Sequence, residues 1–206
     1  MEAKQAVITI GREYGSGGHE VGTLVARQLG VPFYDREILT LAAQKSGISE
    51  ELFVSHDEKA SPSYLFSLVT ETGETPPLSV VNEMPLNHRI FMAQFEAIRH
   101  VAAQGPCVIV GRCANYVLKE QPNAVSVFIY GDLKARIERI QRLEGLTFAQ
   151  AKERVHKVDK QRQSYYNFFA DGNWGHRSNY RLMLNSTGVT SEALAACVLA
   201  YVAGIA

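Results

Sequence analysis

Four glycines fall within eight residues, Gly11-Arg12-Glu13-Tyr14-Gly15-Ser16-Gly17-Gly18, and they are the first feature of this chain able to do chemistry. They follow an apolar, β-branched run, Ala6-Val7-Ile8-Thr9-Ile10. They precede a stretch with Val21, Leu24, Val25 and Leu29 at helical spacing. A strand, a glycine turn and a helix in that order let successive backbone N–H groups converge on one anion, with the positive end of the helix dipole behind them. That chemistry is phosphate binding. A glycine-rich turn that binds nothing is the competing reading, and the position after the first strand weighs against it.

The run departs from the Walker A pattern G-x-x-x-x-G-K-[ST]. With Gly15 and Gly17 set on its inner glycines, Arg12 falls on the first glycine, Gly18 on the lysine and His19 on the hydroxyl residue. Arg12 and His19 are the cations left to supply charge, and Ser16 is the hydroxyl inside the loop. A dinucleotide-binding G-x-G-x-x-G fits less well, because its last position would be Glu20.

The surrounding elements must hold this loop rigid. Ala6–Ile10, Val31–Tyr34, Cys107–Val110, Ala124–Tyr130 and Tyr180–Asn185 read as short buried strands of the parallel type. Helices are expected at His19–Leu29, Arg36–Lys45, Asn87–Gln104, Leu133–Leu143, Thr147–Tyr166 and from Ser191 onward. Gly30 and Pro32 end the first of these, and Gly105-Pro106 the long one. Ser46 to Leu86, broken by Ser61-Pro62, Gly73 and Pro76-Pro77, reads as short helices and a mobile loop. Alternation of strand and helix makes the fold class α/β: three layers, about five parallel strands, and right-handed crossovers.

Bulk properties exclude several classes. At 206 residues the chain suits a single domain spanning 1–206. Within it, residues of about 46–88 form one subsidiary region and about 144–178 a lid. Formal net charge is zero, so nothing draws the molecule as a whole to nucleic acid or membrane. The apolar tract Ala193–Ala206 is shorter than the ~20 residues of a membrane span, and Met1–Ala6 is no signal peptide. Three cysteines without a C-x-x-C pair point to reduced thiols and a cytoplasmic location, with no metal site. Nine basic residues against four acidic from Leu133 to Arg162 fit either a solvated helical face or an arm closing over phosphates. Tyr165, Tyr166, Phe168, Phe169 and Trp174 read as packing for the base of that arm more than as a stacking platform.

Four segments together, ITIGREYGSGGHEVG, LGVPFYDREIL, GPCVIVGRCANYVL and the basic stretch ending VDKQRQSYY, resemble the cytidylate kinase-like family of P-loop kinases. The resemblance runs from residue 7 to about 190. It implies that Gly15, Ser16, Gly17, Gly18, His19 and Glu20 hold the donor's phosphates. Asp35 and Arg36 would meet the acceptor, and Gly111-Arg112 would bind the acceptor's phosphate. Asp159 and Arg162 match a D-x-x-R lid element whose arginine reaches the transferred group, with Arg12 as a further catalytic cation. Arg36 stands where serine is frequent, and Cys113 where aspartate usually follows the Gly-Arg pair. The implied activity is ATP-dependent phosphoryl transfer, with Mg2+, to a nucleoside monophosphate such as CMP or dCMP. A nucleotide- or phosphate-binding protein with little kinase activity, or a kinase for another small metabolite, remains open. Small-molecule nucleotides are the expected partners, and no element of the pattern specifies an oligomeric state.

Overall fold

The computed structural model describes residues 5–56, 85–170 and 172–205. Among these, five strands form one parallel sheet in the order β2-β3-β1-β4-β5: β1 Val7–Arg12, β2 Phe33–Tyr34, β3 Cys107–Val110, β4 Ala124–Tyr130 and β5 Leu182–Asn185. The helices are α1 Gly18–Leu29, α2 Glu37–Ser46, α3 Glu50–His56, α4 Leu86–Gln104, α5 Ala114–Val117, α6 Leu133–Glu144, α7 Phe148–Phe169 and α8 Ser191–Ala203. Most of the expected 46–88 region, from residue 57 to 84, lies outside the described residues.

Strand alternation divides the core in two. Ile8 and Ile10 of β1, Val108 and Val110 of β3, and Val125 and Val127 of β4 face α1 and α8, whose Val21, Val25, Leu194 and Val198 cover them. Val7, Cys107 and Ile109 face the other way, under Ile38 and Leu39 of α2, Phe53 of α3 and Ile90 and Ile98 of α4. A sheet covered on both faces needs apolar strands throughout, which is why these runs carry so few polar residues.

The strands differ from expectation at their ends. β1 continues through Gly11 and Arg12, which pair with Phe128 and Ile129 of β4. β2 shrinks to Phe33–Tyr34, since Pro32 has no N–H to give and contributes only its carbonyl, to Val108 N–H at 2.9 Å. α7 begins at a capping box, Thr147 with Gln150, and runs beyond Tyr166 to Phe169. Its last turns bury Tyr165, Tyr166 and Phe169 against α4, with Phe169 stacked on Phe91 at 4.2 Å. Trp174 meets Phe128 edge-on at 5.5 Å. These aromatics pack. Cys107 and Cys113 are buried thiols, and burial pushes Cys107 up to about 12.

Because β1 lies between β3 and β4, the chain leaves it toward one side for β2 and β3 and returns to the other for β4. Crevices beyond the carboxyl ends of strands at such a switch point are where open α/β sheets bind ligands. The glycine loop, Asp35, Gly111-Arg112 and Gly131 all follow strands at this edge.

Candidate active site

The loop Glu13–Gly17 joins β1 to α1. Gly15 and Gly17 have φ of 81° and 83°, a region that costs other residues strain. Ser16 is buried, and its hydroxyl donates to the Glu13 carbonyl at 2.8 Å, tightening the turn. No side chain caps α1, and the Val21 N–H donates to the Gly17 carbonyl at 3.0 Å. The N–H groups of Gly18, His19 and Glu20 thus form the open first turn, where a helix offers donors to an anion. An open first turn of this kind is what a phosphate-binding loop requires.

The underside of the loop is fixed by a residue the motif reading passed over. Arg136 of α6 is buried, with Nε donating to the Gly131 carbonyl at 2.9 Å and lying 3.1 Å from Glu13 Oε2. Its Nη1 donates to the Tyr14 carbonyl at 3.1 Å and to Asp159 Oδ2 at 2.6 Å. Asp159 Oδ1 in turn accepts the Tyr14 N–H at 2.7 Å, and Glu13 accepts the Gly131 N–H at 3.0 Å. Burial raises the Glu13 carboxyl, against the Gly131 hydrogen bond and the Arg136 charge. One guanidinium therefore ties β1's loop, the β4 end and α7 together. Glu13 and Tyr14 occupy unspecified positions of a Walker-type pattern, and Arg136 was one cation among nine in the basic stretch, so no local signal marked them.

Asp159 is thus placed beneath the loop. Arg162, one turn further along α7, reaches the other side. Its Nη1 lies 3.4 Å from the Arg12 carbonyl, and its guanidinium sits over the Tyr14 ring at 5.5 Å. Glu20 turns outward and accepts hydrogen bonds from Arg139 and, at 2.7 Å, from Ser191. The Ser191 bond, then that of Arg139, lowers its carboxyl. Arg139 also packs 3.5 Å from where a Cβ on Gly17 would stand.

On the acceptor side, Gly111, Arg112 and Cys113 take φ of 77°, 51° and 56° in succession. Positive φ at two non-glycine residues is the kind of strain that gathers at functional sites. The bend turns the Arg112 side chain back into the protein, where it is 2% exposed. There it donates to Asp35 Oδ1 and to the Val110 carbonyl at 3.0 Å. Asp35 Oδ2 lies 3.5 Å from His19 Nε2. Burial alone would raise the Asp35 carboxyl. The charges of Arg112 and Arg12, the Arg112 hydrogen bond and nearby His19 outweigh it and hold the group below its ordinary value. Arg36 is exposed at the start of α2, where its carbonyl accepts the Leu39 N–H at 2.8 Å.

A cleft lined by Gly11, Arg12, Gly111, Arg112, Arg162 and Tyr166 separates the two sides. The structure therefore brings the glycine loop, Arg12, His19, Asp35, Arg112 and Arg162 to one place. Asp159 stands behind them, and Glu20 and Arg36 face outward. Among the described residues no three His, Cys, Asp or Glu side chains gather as a metal-binding group. No helix among them is long and apolar enough to cross a membrane.

This parallel sheet with its glycine loop after the first strand is the fold of the P-loop kinases. The chain belongs to the cytidylate kinase-like family, whose pattern matches residues 7–188. No functionally curated protein matches its sequence. Among solved structures, an uncharacterized protein from Eubacterium ventriosum is 27% identical with a TM-score of 0.72, covering 98% of this chain and 100% of that one. Shikimate kinase from Acinetobacter baumannii, in complex with shikimate, is 14% identical with a TM-score of 0.51, covering 96% and 92%. A sugar kinase from Janibacter is 12% identical with a TM-score of 0.51, covering 96% and 94%. The latter two share the fold.

Proposed function

We propose that this protein transfers the γ-phosphoryl group of ATP to a nucleoside monophosphate, CMP and dCMP first among the acceptors. The observation that supports this most is the gathering of cations at one edge of the sheet: Arg12, Arg112 and Arg162 line one cleft, Arg112 is paired with Asp35, and the uncapped start of α1 follows the glycine loop after β1. Magnesium bound with the donor would neutralise charge on its phosphates, and Asp35, beside Arg112 and His19, is the carboxylate that would help hold it. The loop N–H groups hold the donor, Arg12 and Arg162 neutralise charge on the transferring group, and Arg112 keeps Asp35 ionised and in place. Phosphoryl transfer asks for positioning and charge stabilisation of this kind. In this reading residues 1–206 work as one domain in the cytoplasm, with about 46–88 on the acceptor side and about 144–178 as the lid.

A second acceptor class is favoured by one observation. Arg112 is buried on Asp35 rather than open to an incoming phosphate, so a hydroxyl-bearing small metabolite facing Asp35 would fit as well. ADP release from ATP and Mg2+, followed over a panel of nucleoside monophosphates, sugars and hydroxy acids, tests both. Stimulation confined to CMP and dCMP is the expected result. Stimulation by a sugar or hydroxy acid alone supports the second class. ATP binding without acceptor-dependent ADP release would reduce the protein to a nucleotide binder.

A further inference from the structure

The loop's two departures from the Walker pattern are spatially complementary. Gly15 and Gly17 are glycines because of their positive φ. Gly18 is not in that position: it is the first residue of α1 and has ordinary helical backbone. Its constraint is steric. A Cβ on Gly18 would stand 2.5 Å from the Cβ of Arg12 and 3.1 Å from its Cγ. Arg12 cannot step aside, because its backbone is the last rung of β1, in register with Ile129 of β4. The arginine thus leaves the strand directly across the face of Gly18. Beyond it, Arg12 lines the cleft shared with Arg112 and Arg162. Its charge is among those holding Asp35 ionised, so the guanidinium spans from the donor loop toward the acceptor side.

Resting on the phosphate-holding role of the loop, we propose that Arg12 takes the place of the Walker lysine. It meets the donor's phosphates by crossing Gly18 from the end of β1, and residue 18 is glycine to leave that path open. Arginine at 12 and glycine at 18 are then one exchange, in which the cation comes from the strand instead of the helix. The guanidinium gains from the move a planar fork able to give two parallel hydrogen bonds to a phosphate.

The test is calorimetric titration of inorganic tripolyphosphate into wild type, R12A, R12G, G18K and R12G/G18K, with thermal melting of each. This readout needs neither an acceptor nor turnover. R12A should keep its fold and bind at least about tenfold more weakly, the loss of a charged hydrogen-bond donor. G18K should melt lower and bind weakly, its lysine colliding with Arg12. With the Cβ at position 12 gone as well as the guanidinium, R12G/G18K should recover at least about tenfold over R12G, a non-additivity reserved for residues in contact. Unchanged binding by R12A would overturn the proposal, as would a G18K protein that binds as well as the double variant. Should the double variant not fold, R12K and R12Q decide. Binding by R12K above R12Q upholds a cationic role, and equality of the two removes it. Wild type that binds no tripolyphosphate would instead defeat the phosphate-binding reading itself.

Discussion

Arg112 and Asp35 illustrate how a residue's role changes once its partner is known. Each stands at the carboxyl end of a strand and was legible as a crevice residue from the sequence. Their pairing across 77 positions was not, because nothing local couples the two. Removing one member of a buried pair strands the other charge, at a cost of roughly 3–5 kcal/mol. Arg112→Ala should therefore lower stability by about that much in denaturant titrations, with D35N/R112A recovering part of the loss. The pH dependence follows from the depressed Asp35 carboxyl. Its stabilisation is present above the unfolded value of about 4 and is lost as pH falls through the still lower folded value. The stability gap between wild type and R112A should accordingly narrow as the solution is acidified, because the stranded Asp35 of the variant protonates more readily than the paired one; a gap that stays constant from neutral pH down to about pH 2 would contradict this. At the transfer step the charges divide unequally. Arg162, poised at the Arg12 carbonyl, should cost on the order of a hundredfold in turnover when replaced by alanine. His19, 62% exposed on its side chain, should cost far less. Steady-state ADP release compares them, and equal losses would overturn that division.

At the scale of elements, the loop, α6 and α7 behave as one unit through Arg136. The D-x-x-R pair marked α7 in the sequence, yet the residue that carries Asp159 to the loop sits 23 positions earlier on another helix. Periodicity identifies Arg136 as helical and no more, since a basic helix face is usually solvated. Arg136→Met should release Asp159, Glu13 and the Tyr14 carbonyl together, costing roughly 3–5 kcal/mol. Hydrogen exchange should speed up at Tyr14, whose N–H bonds to Asp159, and along the middle of α7. Exchange raised in α6 alone would show that the two helices are not coupled through this side chain. Thr147→Ala provides the contrast. It opens the capping box of α7 far from the cleft and should cost about 1 kcal/mol, leaving turnover with the best acceptor unchanged.

For the whole molecule, the architecture was the most legible part. Buried parallel strands are apolar on both faces and short, so Cys107–Val110 and Ala124–Tyr130 stand out with their observed bounds. Strand β2 was read too long because Val31 looks like strand, while Pro32 interrupts the donors a ladder needs. The strand order, with β1 in the middle, is a property of crossovers that composition does not encode, and it is what puts the glycine loop beside Asp35 and Arg112. The central claim is that this shared edge moves a phosphoryl group between two bound molecules. It is tested most directly with ATP labelled in the γ-phosphate, incubated with Mg2+ and CMP or dCMP and resolved by chromatography. The expected result is label in the nucleoside diphosphate, formed in step with ADP and reduced about a hundredfold in R162A. Label that stays in ATP, or appears only as inorganic phosphate, with every acceptor offered would contradict it.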